Sequence, residues 1–278
     1  RLFDAVVHSM TTISTGGFSN YDDSFAHFPI STEYLCVFFM IASSLPFIRY
    51  VQLTSGNFKA TFFDSQVRSF LIILISITVI LFSWLMFQQT HSIEYALRKT
   101  LFNGVSILTG TGYSSDNYML WGSFPISIFF VIGLIGGCAG STTCSIKVFR
   151  FQILFSAIGS QIKQMHFPSA VVATRYEGKR VSVDIVSSVI AFFILFFASL
   201  FLIALALSAT GLDFVTAISG AVSTLANIGP GLGERIGPIG NYAELNNVAK
   251  LILIFSMFVG RLELMVVYVL FTLTFWRG

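Results

Sequence analysis

Three short loops in this chain carry glycines in a pattern suited to stripping water from a cation. They read Ile13-Ser14-Thr15-Gly16-Gly17-Phe18, Thr109-Gly110-Thr111-Gly112-Tyr113-Ser114 and Ala226-Asn227-Ile228-Gly229-Pro230-Gly231. Backbone carbonyls turned to one side replace an ion's hydration shell, and glycine takes the positive φ that such turning needs. Aligned on Gly16, Gly112 and Gly229, the loops match Ser14, Thr15, Gly16 and Gly17 with Gly110, Thr111, Gly112 and Tyr113. The third member is Asn227, Ile228, Gly229 and Pro230. Ordinary glycine turns between helices are the alternative, but a plain turn needs no half-length helix before it, and each of these loops follows a segment of that length.

The elements that position such loops are membrane helices. The chain has 278 residues, 55% of them hydrophobic, including 31 Phe, and its mean hydropathy is +0.81. Spans of roughly 20 apolar residues cross a bilayer, and residues 70–87, 183–209 and 248–275 qualify, with a shorter helix at about 34–48 and another beginning near Pro125. The order is helix, re-entrant loop, helix, repeated in parallel. It predicts an all-α polytopic membrane protein built from helix–pore-loop–helix repeats about a central cation pore. The repeats cover residues 1–50 (pore loop and outer helix), 69–165 (with a broken second helix) and 183–278.

Charge sets the expected orientation. Arg49, Lys59, Arg68, Lys147, Arg150, Lys163, Arg175, Lys179, Arg180 and Arg277 fall on one side, which the positive-inside rule makes cytoplasmic. Asp22, Asp23, Asp116 and Glu234 flank the loops on the other side, where they either make the mouth mildly attractive to cations or are simply solvated loop residues. The net charge of +3 gives no sign of nucleic-acid binding.

Two features lie on the cytoplasmic side of the loops. The run Gly133-Leu-Ile-Gly136-Gly137-Cys138-Ala139-Gly140-Ser141-Thr142-Thr143-Cys144-Ser145 interrupts a helix in mid-membrane, because each interior glycine costs about 1 kcal/mol relative to alanine. Close helix packing through Gly-x-x-x-Gly spacing is the other reading. Arg261 stands in the middle of 248–275, and a charge at that depth faces the bundle interior or water. An ion pair is an alternative, although Glu263, two residues away, lies on another helix face.

These residues resemble the membrane subunit of the Trk/Ktr superfamily of potassium transporters, in its Trk-type branch. The resemblance is carried by 11–19, 104–117, 136–147, 221–233, Gly260-Arg261-Leu262-Glu263 and Thr274-Phe275-Trp276-Arg277. It implies four repeats around one pore per protomer, a homodimer in the bacterial inner membrane, and K⁺ as the transported ion at the three sets of filter residues. It also implies an intramembrane gate of Gly136, Gly137, Gly140, Ser141, Thr142 and Thr143 beneath the filter, with Arg261 beside it and Lys147 as an anchor. A cytoplasmic ring of nucleotide-binding regulatory subunits is the implied partner; the basic connector 147–180 is either its docking surface or plain positive-inside bias. The family's first repeat would precede Arg1.

The chain shows no catalytic constellation. His8, His27, His91 and His166 are scattered, and Cys36, Cys138 and Cys144 lack metal or disulfide spacing. The run Gly229-Pro-Gly231-Leu-Gly233 lacks the βαβ context of a dinucleotide loop. No bound cofactor and no enzymatic activity are expected. Beside gated K⁺ uptake, two alternatives stand: a Na⁺-selective or weakly selective cation pore of the same fold, and a secondary solute transporter with broken helices.

Overall fold

The computed structural model describes residues 2–57, 64–88, 92–170, 172–262, 264–272 and 275–276. Arg1, Lys59, His91, Glu263, Thr274 and Arg277, all used in the sequence reading, lie outside the described residues. The helices are α1 (Leu2–Ile13), α2 (Ile30–Ser43), α3 (Phe47–Thr54), α4 (Ser65–Phe87), α5 (Ile93–Leu108) and α6 (Ser123–Gly133). They continue with α7 (Val148–His166), α8 (Val183–Ser208), α9 (Phe214–Leu225), α10 (Asn247–Arg261) and α11 (Leu264–Leu270). A two-stranded antiparallel hairpin, β1 (Arg175–Tyr176) and β2 (Lys179–Arg180), lies in the basic connector and is a small departure from the all-helical expectation.

Among the described residues, two helices are long and apolar enough to cross a membrane unbroken: α4 with 23 residues and α8 with 26. At 1.5 Å rise per residue they reach about 35 and 39 Å, against about 30 Å of hydrocarbon. Their outward faces are apolar: Ile72, Ile75 and Val79 on α4, and Ile194, Leu202 and Leu205 on α8, are all more than half exposed. Such a surface suits lipid, where the backbone is satisfied within each helix.

Two other expected spans are broken. The helix read at 34–48 is the pair α2 and α3, bent by 92°. Pro46 lies at the break; proline disfavours helical backbone at the residue before it, here Leu45. The span read at 248–275 is likewise divided, α10 ending at Arg261 and α11 starting at Leu264, with their axes 108° apart. The sequence reading missed both breaks because the mean hydropathy of a span-length window stays high across each pair of helices.

Each half-length helix is cradled by spanning elements. α5 packs against α4, α2 and α6, and α9 against α8, α10 and α6, while α1 rests on α2. One core joins the first two repeats through Met40, Phe70, Leu81, Phe102 and Tyr113. Two more form around α8 and α9, one on Phe192, Phe196 and Leu225, the other on Leu207, Ala221 and Ile236.

Candidate ion filter and gate

The three helices that precede the glycine loops end in the same way. In each, the second residue past the C-cap donates to the carbonyl three residues inside the helix: Gly16 N to Thr11 O at 2.8 Å, Thr111 N to Ser106 O at 2.9 Å, Ile228 N to Ser223 O at 2.8 Å. The residue before it donates one position further on: Thr15 N to Thr12 O, Gly110 N to Ile107 O and Asn227 N to Thr224 O, all at 3.1 Å. This pair of bonds is a Schellman cap, which requires a left-handed residue. Thr15 (φ 49°), Gly110 (φ 67°) and Asn227 (φ 54°) supply it. Two residues later the backbone turns left-handed again, at Gly17 (φ 66°), Gly112 (φ 87°) and Gly229 (φ 113°).

This geometry shifts the register of the first loop by one residue from the sequence alignment. Gly17, not Gly16, corresponds to Gly112 and Gly229. Ser14 is therefore the helix C-cap, and Phe18 stands level with Tyr113 and Pro230. A pair of adjacent glycines cannot be ordered by composition; the position of the helix end orders them.

The loops also touch in sequence. A Cβ on Gly17 would lie 1.8 Å from the Thr111 carbonyl oxygen, and one on Gly112 would lie 1.7 Å from that of Ile228. Each glycine makes room for the carbonyl of the following loop. At Gly229 the nearest atom is Gly112 Cα at 3.9 Å, so that side is open. It gives onto a cavity of about 660 Å³ between the third loop and the first, lined by Thr15, Gly16, Asn227, Ile228 and Gly229.

Hydroxyls on the helices hold the outer ends of the loops. Thr11 Oγ1 donates to Phe18 O at 3.0 Å, Ser106 Oγ to Tyr113 O at 2.6 Å and Ser223 Oγ to Gly229 O at 2.6 Å. Tyr113 hydrogen-bonds through its hydroxyl with Thr11 Oγ1, and Tyr242 Oη donates to Gly229 O at 2.6 Å. The inner carbonyls are different. Those of Thr15, Gly16, Gly110, Thr111, Asn227 and Ile228 accept no hydrogen bond from the described residues. Backbone carbonyls held away from bulk water need a partner, and these six are left for water or an ion. The three helices also end at this point, so the negative ends of their dipoles converge on it.

Side chains fix the far ends of two of these helices. Ser92 Oγ accepts from Tyr95 N, and the Asp213 carboxylate accepts from Thr216 N. Hydrogen bonds from Thr216 hold the Asp213 carboxyl below the usual carboxylate range.

Beneath the filter, the glycine run after α6 leaves the helix at Leu134 and returns as a loop. Ile135 and Ile146 form a β-bridge, with Gly136 N donating to Ile146 O at 2.9 Å. The loop docks in the break between α2 and α3. Cys138 N donates to Ser44 O at 3.1 Å, and Phe47 N donates to Gly140 O at 3.0 Å, so groups freed by the bend are satisfied by the loop. Gly-x-x-x-Gly helix packing is not what the glycines do: Gly136 and Gly137 lie against Cys144 O and Thr143 of their own loop, and Gly140 meets nothing. Two hydroxyls hang the loop from the filter helices: Thr142 Oγ1 donates to Ile13 O at 3.1 Å and Ser145 Oγ to Ala226 O at 3.3 Å.

Arg261 reaches this loop. Its Nη1 donates to Cys144 Sγ at 2.7 Å and lies 3.5 Å from Thr142 O. The residue before it packs tightly: a Cβ on Gly260 would lie 2.0 Å from Leu225 O, at the end of α9. The sequence-derived filter and gate residues thus share one place, in two layers.

Sequence reasoning missed a buried charge cluster behind the second loop. Glu33 Oε1 accepts from Arg98 Nη1 at 2.7 Å and Lys99 Nζ at 2.9 Å, and Lys99 Nζ also donates to Ser115 O at 2.8 Å. Arg98 further donates to Glu94 Oε1 at 2.8 Å. The carboxylate and its partners are 65 and 66 residues apart; only the acid on one helix and the adjacent basic pair on another hinted at it. Of the acids read as lining the mouth, Asp116 instead accepts from Tyr95 Oη at 2.6 Å and from Trp121 Nε1 at 3.2 Å. Asp22, Asp23 and Glu234 are exposed.

Comparison with known proteins agrees with this architecture. The TrkH family, described as cation transport protein, matches residues 1–275. The Trk system potassium uptake protein TrkI of Halomonas elongata is 42% identical over 276 residues, covering 99% of this chain and 56% of that protein. TrkH of Salmonella typhimurium is 34% identical, covering 99% of this chain and 57% of that protein. The crystal structure of the potassium transporter TrkH from Vibrio parahaemolyticus superposes with a TM-score of 0.93 at 32% identity, over 99% of this chain and 59% of that one. The chain spans a little over half the length of these relatives. From the match over nearly its whole length, carried on the same helical architecture, the chain belongs to the TrkH family of cation transport proteins.

Proposed function

We propose that this chain forms three quarters of a K⁺-selective pore for potassium uptake, and that a fourth glycine loop closes it in the cavity beside Gly229. The observation that carries this reading is the set of six unbonded inner carbonyls at the ends of three converging helices. They offer oxygen ligands and negative potential to a partly dehydrated cation and none to an anion. The filter is then Thr15–Phe18, 110–113 and 227–230 in the structure's register, and the loop 136–145 is the gate. The relatives' names, potassium uptake proteins, support K⁺ as the ion. No chemistry beyond passage of the ion is assigned to the chain, and no cofactor.

The setting is a bacterial inner membrane, with the basic connector cytoplasmic. A homodimer and a nucleotide-binding regulatory ring docked on that connector complete the proposed assembly. The three repeats at 1–50, 69–165 and 183–278 are its units.

The test is uptake of radioactive rubidium into proteoliposomes holding the whole protein, challenged with excess K⁺ or Na⁺. Competition by K⁺ alone is expected. Equal competition by Na⁺ would replace this reading with the weakly selective one, and competition by an organic solute would favour a secondary transporter.

Arg261 supplies a second expected result. Its charge raises the barrier for a cation leaving the filter, and its contacts hold the gate loop. Arg261→Ala should raise rubidium uptake severalfold and leave the K⁺ to Na⁺ preference unchanged. An unaltered rate at equal protein content would remove the arginine from the gate.

A further inference from the structure

The third filter loop is held one residue earlier than the other two. Thr11 Oγ1 and Ser106 Oγ donate to Phe18 O and Tyr113 O, the carbonyls just past the second left-handed residue of their loops. The matching carbonyl of the third loop is that of Pro230, and it accepts no hydrogen bond from the described residues. The hydroxyl of Ser223 goes instead to Gly229 O, at 2.6 Å.

Gly229 O has a second donor. Tyr242 Oη, 13 residues further along the chain, also donates to it at 2.6 Å. A carbonyl oxygen has two lone pairs, and here hydroxyls take both. The carbonyls at the same level of the other loops, Gly17 O and Gly112 O, accept nothing from the described residues. At this level two loops offer free oxygens and the third offers a saturated one.

We propose that Ser223 and Tyr242 take the Gly229 carbonyl out of the ion path, so that the outermost level of the filter holds a monovalent cation with part of its water still attached. Tyr242 is then the positioning residue that keeps this outer site weak. The inference rests on the filter reading above. A hydroxyl and a cation compete for the same lone pairs, so whatever an ion gains from Gly229 O it must take from a hydrogen bond. Close discrimination falls to the two inner levels, where all three loops offer unbonded carbonyls. The outer level gathers cations and lets them move on, as conduction requires of a site that must also release its ion.

Tyr242→Phe removes the hydroxyl and keeps the ring, which packs on the core around Leu207 and Ala221. It frees one lone pair of Gly229 O for the ion. In proteoliposomes holding the whole protein, KM for rubidium uptake should fall about threefold to tenfold, the weight of one neutral hydrogen bond, and the maximum rate should not rise. Ser223→Ala frees the other lone pair and should lower KM in the same direction, so the result does not hang on one variant. Ser106→Ala is the contrast: its hydroxyl supports a carbonyl one residue further out, and its loss should raise KM. None of these values depends on how much protein each vesicle holds.

The sign of the change separates this positioning role from mere support. If the two hydroxyls only brace the loop, both variants raise KM and erode the K⁺ preference, and the proposal is overturned. An unchanged KM in both overturns it as well, and so does a fall for Ser106→Ala equal to that for Tyr242→Phe. In each of these cases, wild-type uptake that K⁺ alone competes with leaves the filter reading standing. Wild-type protein without rubidium uptake would instead fail that reading, and this inference with it.

Discussion

Gly112→Ala should abolish the preference for K⁺ and most of the uptake, with the protein still present in the membrane. The added methyl carbon would stand 1.7 Å from the carbonyl oxygen of Ile228, far inside any contact distance, and the obstacle is backbone rather than a movable side chain. The left-handed φ of 87° adds strain of about 1–3 kcal/mol for any other residue. Either the second loop retreats or the third does, and the carbonyls of both leave their places. Gly17→Ala should behave the same way, through Thr111 O at 1.8 Å. Gly229 is the informative contrast. Its nearest neighbour is 3.9 Å away, so alanine there meets only the backbone strain unless a fourth loop lies against it. In the whole protein, Gly229→Ala as damaging as Gly112→Ala would mean that the ring is closed; a mild effect would mean that the 660 Å³ cavity stays open. The measurement is rubidium uptake with K⁺ and Na⁺ competition, normalised to protein in the vesicles. A Gly112→Ala variant with full K⁺ preference would refute the filter.

The largest loss of stability should come from Glu33→Ala. The Glu33 side chain is 3% exposed, and it stands against Arg98 and Lys99, which are 8% and 9% exposed. Removing the acid leaves two buried cations without it, and breaking a buried pair from one side costs roughly 3–5 kcal/mol. Glu94 also pairs with Arg98, but its side chain is 53% exposed, so Glu94→Ala should cost no more than about 1 kcal/mol. Thermal unfolding of the purified variants checks the order, and equal losses would contradict it. A functional effect should accompany the structural one, because Lys99 holds Ser115 O just past the second filter loop. Once Lys99 is no longer fixed by Glu33, the outer end of that loop relaxes and discrimination between K⁺ and Na⁺ declines.

The sequence made the local parts of this fold legible and hid most of the long-range ones. The three half-length helices showed because apolar periodicity stops at glycine, and α4 and α8 showed because nothing interrupts them. The loop after α6 was visible for the opposite reason: so many glycines and hydroxyls do not continue a helix. Arg261 stood out as a charge among apolar residues, and it does reach Cys144 and Thr142. The register of the first loop was not legible, since Gly16 and Gly17 differ only in their distance from a helix end that composition does not mark. Hydropathy cannot see a bend, so the breaks at Pro46 and Leu262 passed as continuous spans. Glu33, Arg98 and Lys99 went unread because what pairs them is the packing of α2 on α5. Tyr242 gave no signal either; its hydroxyl meets Gly229 only after a turn of chain outside the filter.

The contact between loops runs in one direction along the chain: Gly17 receives the carbonyl of Thr111, and Gly112 receives that of Ile228. Each loop is therefore finished by a segment that the ribosome makes later. A nascent chain paused between the second and third loops has a walled Gly17 and a bare Gly112. On the proposed transport reading, a half-made molecule inserted in the membrane lacks the third loop and so offers no complete ring to a cation.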